Sequence, residues 1–389
     1  MRFLSGLKIL LSAAVLLASP NLYALPQMNM APGVTPISRE MYFLHMTIFW
    51  ICVVIGVIVF SIMFYSLIRH RKSRGVKPAT FHENLKLEIF WAIIPLIILV
   101  VMAFPATKVL LNMEDDSDAD INIKVTGFQW KWRYEYLDEG LNFFSNLATP
   151  LDQIQNKAPK DEWYLLEVDK PLVVPVHKKI RFLVTSNDVV HSWWVPHIGI
   201  KRDAIPGFIH EAWAKIDRPG IYRGQCAELC GLNHGFMPIV VDARPEADYL
   251  EWVKAQKLAA SQPPGTVQSP SAPMTKPELM SNGEQVYTRL CAVCHQPTGK
   301  GMPPAFPALI GSPITVGKVS EHIHIVLKGK PGTAMQAFEL QLNDKDLASV
   351  ITYERNAWGN DSASKYGKEA GGLIQPSDIA TARKQLNGK

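Results

Sequence analysis

Residues 224–238 read GQCAELCGLNHGFMP and hold a dense set of potential metal ligands. The side chains that could bind a metal there are Cys226, Glu228, Cys230, His234 and Met237. Cys226, Cys230 and His234 follow one another at intervals of four, so all three can converge on a sharply bent loop. Thiolates and imidazoles together favour copper or zinc.

His191, in the segment VVHSWWVP, could join this cluster from the end of a separate strand. A closed Cys2His2 zinc site and a Cys226–Cys230 disulfide are the competing interpretations. Met237 favours copper, because a thioether is a poor ligand for zinc and a good one for copper. Two bridging thiolates could hold two copper ions with one imidazole each, completed by Met237 on one and the Glu228 carbonyl on the other.

A second cluster, Cys291, Cys294 and His295, spells CAVCH. C-x-x-C-H is the attachment signature of a c-type haem. Each thiol adds to a vinyl group, and the adjacent histidine then lies beneath the iron. A thioredoxin-like CxxC is the alternative, but no βαβ pattern surrounds this motif.

The second axial ligand of such a haem must come from elsewhere in the chain. The segment GKPGTAMQAF places Met335 on a loop rich in Gly and Pro. Methionine ligation raises the haem potential, which suits a donor to copper. The competing ligands are Met302, His322 and His324; we expect Met302 to line the haem edge and the two histidines to serve packing or the surface.

The first part of the chain indicates on which side of a membrane these clusters lie. Residues 1–24 have the order of a secretory signal peptide. Residues 42–68 and 89–111 are predicted membrane-spanning helices by their length and apolar composition. The first contains no Asp, Glu, Lys or Arg. The connecting residues 69–88 begin RHRKSRGVK, whereas EDDSDAD follows the second helix. Positively charged loops stay in the cytoplasm, so residues 25–41 and everything after about residue 112 should be extracytoplasmic.

Three further segments follow the helices. Residues 112–250 contain short runs rich in Val, Ile and aromatics, which predict an antiparallel sandwich or barrel. Residues 251–276 are poor in large apolar residues and are predicted to be a linker. Residues 277–360 show helical periodicity, with Asn343 as an N-cap, and residues 361–389 form a tail without a strong pattern. The net charge of +5 is too small to indicate a nucleic-acid partner.

Residues 42–241 resemble subunit II of haem–copper cytochrome oxidases. The resemblance is carried by LEIFWAIIP, GFQWKWRYEY, HSWWVP, IGIKRDAIPG and YRGQCAELCGLNHGFMP. It implies a two-helix transmembrane hairpin, an all-β cupredoxin-like Greek-key domain and a dicopper CuA centre. The helical segment resembles an all-α class I cytochrome c domain with covalently bound haem c. Together the parts resemble the subunit II–cytochrome c fusions of caa3-type oxidases.

This resemblance maps the copper ligands onto His191, Cys226, Glu228 (carbonyl), Cys230, His234 and Met237. It maps an electron-entry aromatic onto Trp130 and a proton-entry glutamate onto Glu88. A packed strand tryptophan and a charge that stabilises a helix N-terminus are the alternatives for these two residues. It also suggests a magnesium ion shared with the partner subunit, within reach of the Glu228 side chain. Quinol-oxidising relatives lack the copper ligands, which disfavours that branch.

The leading hypothesis is therefore the electron-entry subunit of a proton-translocating cytochrome c oxidase in a bacterial inner membrane. Its expected partners are the catalytic subunit I, subunit III, membrane lipid and a soluble cytochrome c or similar donor. The equivalent subunit of a CuA-containing nitric oxide reductase is a second hypothesis. A copper-delivery chaperone with a CxxxC loop is a third. Oxygen chemistry is assigned to the partner, because this chain offers no intramembrane histidine set for buried haems.

Overall fold

The computed structural model describes residues 29–77, 80, 82–261, 273–330, 333–339 and 341–387. The predicted signal peptide lies outside these residues. The chain divides into two compact units. Pro196–Gly199 group with the residues up to Met113, and the remaining residues from Glu114 onward form the second unit.

The first unit contains the two predicted membrane helices, α1 (Pro36–Arg69) and α2 (Leu85–Glu114). Helix α1 begins earlier than its uncharged run because Thr35 caps it, accepting from the Ser38 backbone N–H at 3.0 Å. Both helices are long and apolar enough to cross a membrane, and no residue of their most apolar windows is buried. Such exposure of apolar surface fits a helix that faces lipid.

The second unit begins with a sandwich of two five-stranded sheets. Its strands are β1 (Ile121–Phe128), β2 (Lys131–Tyr136), β3 (Leu141–Ser145), β4 (Leu172–Pro175), β5 (Lys179–Ser186), β6 (His191–Val195), β7 (Ile200–Ala204), β8 (His210–Lys215), β9 (Gly220–Cys226) and β10 (Pro238–Arg244). One sheet has the order β3-β2-β1-β5-β8, and the other has the order β4-β10-β9-β6-β7. The predicted sandwich is confirmed, but it is mixed: β1 pairs with β5, and β10 with β4, in parallel. Between the two strands of each parallel pair the chain crosses to the other sheet and returns, so that both strands run in the same direction.

The sandwich forms because alternate strand residues are large and apolar. In β2, Trp132, Tyr134 and Tyr136 are at most 1% exposed, whereas the intervening residues face outward. The two sheets meet where the Phe182 and Trp193 rings lie 5.0 Å apart. This packing fixes the strand ends that carry the first cluster.

Part of the predicted linker is helical. Helix α4 (Glu246–Ser261) follows β10 and extends into the segment predicted to be a linker. The short helix α3 (Leu151–Ile154) lies earlier in the chain, between β3 and β4. Tyr249 and Val253 are buried, and the Trp252 ring lies 5.4 Å from that of Tyr136. The few apolar residues of this segment share one face at helical spacing, which average composition did not reveal. The rest of the predicted linker, residues 262–272, lies outside the described residues.

The last part of the chain is helical, as predicted. It contains α5 (Lys276–Val286), a π-helical turn (Tyr287–Cys291), α6 (Ala292–His295), α7 (Pro313–Val316), α8 (Val319–Lys328), α9 (Asp344–Asn356), α10 (Ala363–Tyr366) and α11 (Pro376–Asn387). The Asn343 side chain accepts from the Asp346 backbone N–H at 2.8 Å, which confirms the predicted N-cap of α9.

The tail differs from its prediction, because it belongs to the helical domain. Ile374 and Ile379 are fully buried in the same core as Leu347 and Ile351. Arg383 on α11 holds the Asp344 carboxylate at 2.7 Å. On α11 itself, Ile379, Ala382 and Leu386 recur at helical spacing on the side that packs against this core, which is enough to dock the helix.

Candidate copper and haem centres

The first cluster lies where two neighbouring strands are joined. Strand β9 ends at Cys226, strand β10 begins at Pro238, and the connecting loop contains the other candidate ligands of this stretch. The Cys226 N–H donates to the Met237 carbonyl at 3.0 Å, which closes the loop at its base. Gly231 permits the bend, since its φ of +108° is strained for other residues.

His191 reaches the loop from β6, which pairs with β9. Its Nδ1 lies 3.8 Å from the Cys226 Sγ, and the two cysteine sulfurs are also 3.8 Å apart. His234 Nδ1 lies 3.6 Å from the Cys230 Sγ. Each sulfur therefore faces the other sulfur and one imidazole nitrogen, which is the donor arrangement expected for two soft metal ions sharing two thiolates.

The remaining predicted ligands are also at this strand end. The Glu228 carbonyl oxygen lies 3.4 Å from the Cys226 Sγ, while the Glu228 side chain is exposed. Met237 is only 1% exposed. Both cysteines are free thiols. The donor set thus fits copper, and the copper pair would be held by residues that the fold already brings together.

The two thiols titrate as a pair before a metal binds. A hydrogen bond from Cys230 holds the pKa of Cys226 well below its ordinary value, against the opposing effect of burial. The same hydrogen bond, together with burial, raises the pKa of Cys230. The pair therefore retains one proton at neutral pH, and metal binding must displace it.

Asp188 fixes the orientation of His191. Its carboxylate Oδ1 lies 2.9 Å from His191 Nε2, so the Nε2–H donates to Asp188 and Nδ1 is free for a metal. Burial disfavours the imidazolium, but hydrogen bonds with Asp188 and Cys226 outweigh it and raise the pKa of His191. Sequence reasoning missed Asp188, although its position three residues before the histidine was a usable signal.

Gly127 provides the space for the His191 ring. A Cβ at this position would lie 2.7 Å from the His191 Cδ2 atom. We expect Gly127→Ala to displace the ring, to cost about 1–3 kcal/mol of stability and to lower copper content. Copper counting and thermal unfolding of the purified protein would measure both effects.

Gly235 offers a matched control on the metal-binding loop. A Cβ there would meet nothing within 4 Å. Gly235→Ala should therefore keep full copper content. Equal copper content in the two variants would show that the His191 ring does not need this space.

The second cluster lies on the π-helical turn and helix α6. Cys291 ends the turn, Cys294 is on α6, and His295 is the last residue of α6. His295 Nδ1 lies 2.9 Å from the Pro307 carbonyl oxygen. The Nδ1–H therefore donates to this carbonyl, which leaves Nε2 free to accept a haem iron.

Met335 lies on the predicted loop and packs against the core of the helical domain. Lys330 N–H donates to its carbonyl at 2.8 Å, and Gly329, with a φ of +72°, precedes this turn. A Cβ on Gly329 would lie 2.7 Å from the Met335 carbonyl oxygen. The loop conformation that positions Met335 therefore depends on glycine.

The three competing candidates for the second axial ligand lie in different surroundings. His322 is buried and its Nε2 lies 2.9 Å from the Glu354 carboxylate. Met302 exchanges two backbone hydrogen bonds with Phe306 in the loop after the haem motif. His324 is exposed. The burial of His322 and the exposure of His324 agree with packing and surface positions, and a place for Met302 at the haem edge stays a prediction.

Trp130 lies between the first cluster and the loop that follows the haem motif. Its indole N–H donates to the Cys230 carbonyl at 3.0 Å, alongside a 2.9 Å bond from the Gln129 amide. On the other side its ring meets that of Phe306 edge-on, with centroids 6.3 Å apart. Trp130 is half-buried and is not part of the sandwich core. The alternative of a packed strand tryptophan is therefore not favoured.

Glu88 lies in the first turn of α2. Its carboxylate accepts from the Asn84 N–H at 3.4 Å. This contact satisfies a backbone donor next to the helix N-terminus, which supports the alternative role in stabilising the helix start. A role in proton entry stays a prediction.

Comparison with known proteins follows the same division of the chain. Residues 24–109 match the family "Cytochrome C oxidase subunit II, transmembrane domain", and residues 121–244 match "Cytochrome C oxidase subunit II, periplasmic domain". Residues 278–353 match "Cytochrome C oxidase, cbb3-type, subunit III". The first two matches contain both apolar helices and the sandwich, and the third contains the CAVCH motif.

Individual relatives agree with these matches. A probable cytochrome c oxidase subunit 2 from Rickettsia felis is 38% identical over 250 residues, covering 63% of this chain and 78% of the relative. Cytochrome c oxidase subunit 2 from Cereibacter sphaeroides is 36% identical, covering 57% and 78%. The solved periplasmic domain of subunit II from Bradyrhizobium japonicum is 43% identical, covering 36% of this chain and 96% of that domain, with a TM-score of 0.32.

The copper-binding implication of this family and the haem-binding implication of the third match agree with the donor sets described above. The two apolar helices and the match to a periplasmic domain make this chain a membrane protein with an extracytoplasmic domain. The family is a subunit of cytochrome c oxidase, which implies subunit I as its partner. The chain belongs to the cytochrome c oxidase subunit 2 family and carries a cytochrome c domain at its C-terminal end.

Proposed function

We propose that this chain passes electrons from a soluble cytochrome c or similar donor, by way of covalent haem c and a dicopper CuA centre, to subunit I. Subunit I would reduce oxygen to water and translocate protons. Haem and copper supply the gain and loss of single electrons when bound. The chain's own residues hold these groups, shape their potentials and set the distance between them.

One observation carries the proposal: Trp130 touches both redox segments. Its hydrogen bond ends on the carbonyl of a candidate copper ligand, and its ring contacts the loop that follows the haem motif. Fusion of the two domains in one chain also raises the effective concentration of one at the other. The contact and the fusion together support transfer within one molecule.

The finer assignments follow from this role. Cys291 and Cys294 would bind the haem covalently, with His295 and Met335 as axial ligands. His191, Cys226, Glu228, Cys230, His234 and Met237 would hold the copper pair, and the exposed Glu228 carboxylate would contact a magnesium ion shared with subunit I. The location would be a bacterial inner membrane, with lipid around α1 and α2, subunit III in the complex and the redox domains in the periplasm.

Turnover of the purified complex with defined gases tests this proposal. With reduced cytochrome c as donor, we expect oxygen consumption together with proton release outside reconstituted vesicles. Nitric oxide reduction without oxygen consumption would instead assign the chain to a CuA-containing nitric oxide reductase. Readily exchangeable single copper and no turnover would indicate a copper-delivery protein.

A further inference from the structure

Lys131 is a buried lysine between the copper and haem domains. It is the first residue of β2, next to Trp130, and is only 5% exposed. Its ammonium lies 4.8 Å from the centre of the Phe144 ring in the copper domain. On the haem-domain side it lies 5.1 Å from the centre of the Phe338 ring and donates to the Gln341 side-chain oxygen.

These contacts compensate only in part for the hydration that the ammonium loses when it is buried. Two ring faces and one amide oxygen attract a cation, but among the ion pairs of the described residues none includes Lys131. Arg133 lies over the same Phe144 ring at 5.9 Å, but its guanidinium is paired with Glu135 at 3.2 Å. A buried ammonium without a carboxylate partner is unfavourable.

The titration of Lys131 follows from this position. Burial lowers its pKa from 10.5 to about 7, and the more distant Cys291, Asp169, Cys294 and Asp188 oppose the change. Haem attachment converts the two cysteines to uncharged thioethers, which removes part of that opposition. The neighbouring Glu339, on the segment of Phe338, is already held by Lys328 at 2.6 Å.

We propose that Lys131 makes the docking of the haem domain on the turn Gln129–Lys131 of the same chain, here called the docking surface, dependent on pH. The inference rests on the proposed function, because docking places the loop after the haem motif against Trp130. In the docked state the amine is neutral more often than in the separated state. Docking therefore releases a proton.

The direction of the effect follows from linkage. Below about pH 7 the amine is protonated in both states, so docking does not depend on pH. Between about 7 and 10.5 the docked state binds fewer protons, so docking strengthens as pH rises. One proton corresponds to at most about a tenfold change in the docking constant per pH unit.

Cleavage of the intact oxidase tests the proposal. A protease site is placed within residues 262–272 of the full chain, and the haem domain that stays with the membrane complex after cleavage is measured at pH 7, 8 and 9. For the wild type we expect retention to rise with pH. Lys131→Met should give high retention at every pH, and Lys131→Arg, which stays charged, low retention at every pH.

Lys124→Met is the matched control, since Lys124 is a partly exposed lysine on the neighbouring strand that pairs with Glu135 at 3.6 Å. It should keep the wild-type dependence on pH, and an unchanged copper spectrum would show that each variant is folded. A Lys131→Met protein that retains the slope would overturn the proposal, as would wild-type retention that does not vary with pH.

Flash-induced electron transfer from haem to copper separates this inference from the proposed function. Transfer in the wild type together with a pH slope that survives in Lys131→Met would contradict the docking role alone. Retention that follows the expected pattern without any haem-to-copper transfer would contradict the proposed electron path and leave the docking surface standing.

Discussion

Cys230→Ser is expected to abolish the spectrum of a copper pair that shares one electron, while the haem remains attached. Cys230 faces both the Cys226 sulfur, at 3.8 Å, and the His234 imidazole, at 3.6 Å. A serine oxygen is a harder ligand and bridges two soft ions poorly. At most one copper per chain should remain. Electron transfer to subunit I should then fall to a small fraction of the wild-type rate.

Optical and paramagnetic spectra with metal counting would measure this result. The matched control is Cys52→Ser, because Cys52 is an exposed free thiol on α1 and belongs to neither candidate ligand set. It should leave copper, haem and turnover unchanged. Two coppers with an unaltered spectrum in Cys230→Ser would remove the shared-thiolate site, and loss of haem would show that the two domains do not fold independently.

Met335→Ala is expected to lower the haem potential and to leave the copper spectrum normal. A thioether ligand favours the reduced iron, so its removal makes the haem easier to oxidise. Axial ligands set haem potentials over a range of about 0.8 V, so the shift should be large. With a lower potential the haem should also accept electrons less readily from a soluble donor.

A redox titration followed by the haem absorbance would measure the shift. Met302→Ala provides the control, because Met302 lies in the loop after the haem motif and bonds to Phe306 only through backbone atoms in the hydrogen bonds of this turn. The haem potential of this variant should stay close to that of the wild type. The opposite pattern, in which only Met302→Ala shifts the potential, would assign the axial position to Met302.

Much of the architecture was predictable from local sequence. The long uncharged runs predicted both membrane helices, and the CAVCH motif marked the haem segment without any knowledge of its surroundings. The spacing of Cys226, Cys230 and His234 could be interpreted because all three lie on one loop. These signals are short in range, so the sequence displays them directly.

The features that the sequence did not predict have two causes. Helix α4 and the tail helix α11 each bury only a few apolar residues, such as Val253 and Ile379. Their composition therefore resembled that of a linker and of a tail without a strong pattern. The parallel pairing of β1 with β5 arises from the crossover between sheets, which no pattern within one strand reports.

The sequence by itself indicated the chemistry of this protein: which residues are candidates to bind copper and haem, and which side of a membrane they are expected to face. Only the tertiary structure decided which distant residues serve them. It brought Asp188 to the His191 ring, Gly127 beneath that ring, Trp130 to the Cys230 carbonyl and Lys131 into a buried position between two domains. The physical reason is that ligand type and hydropathy belong to single residues and short segments, whereas burial, tautomer and contact depend on neighbours that the fold supplies.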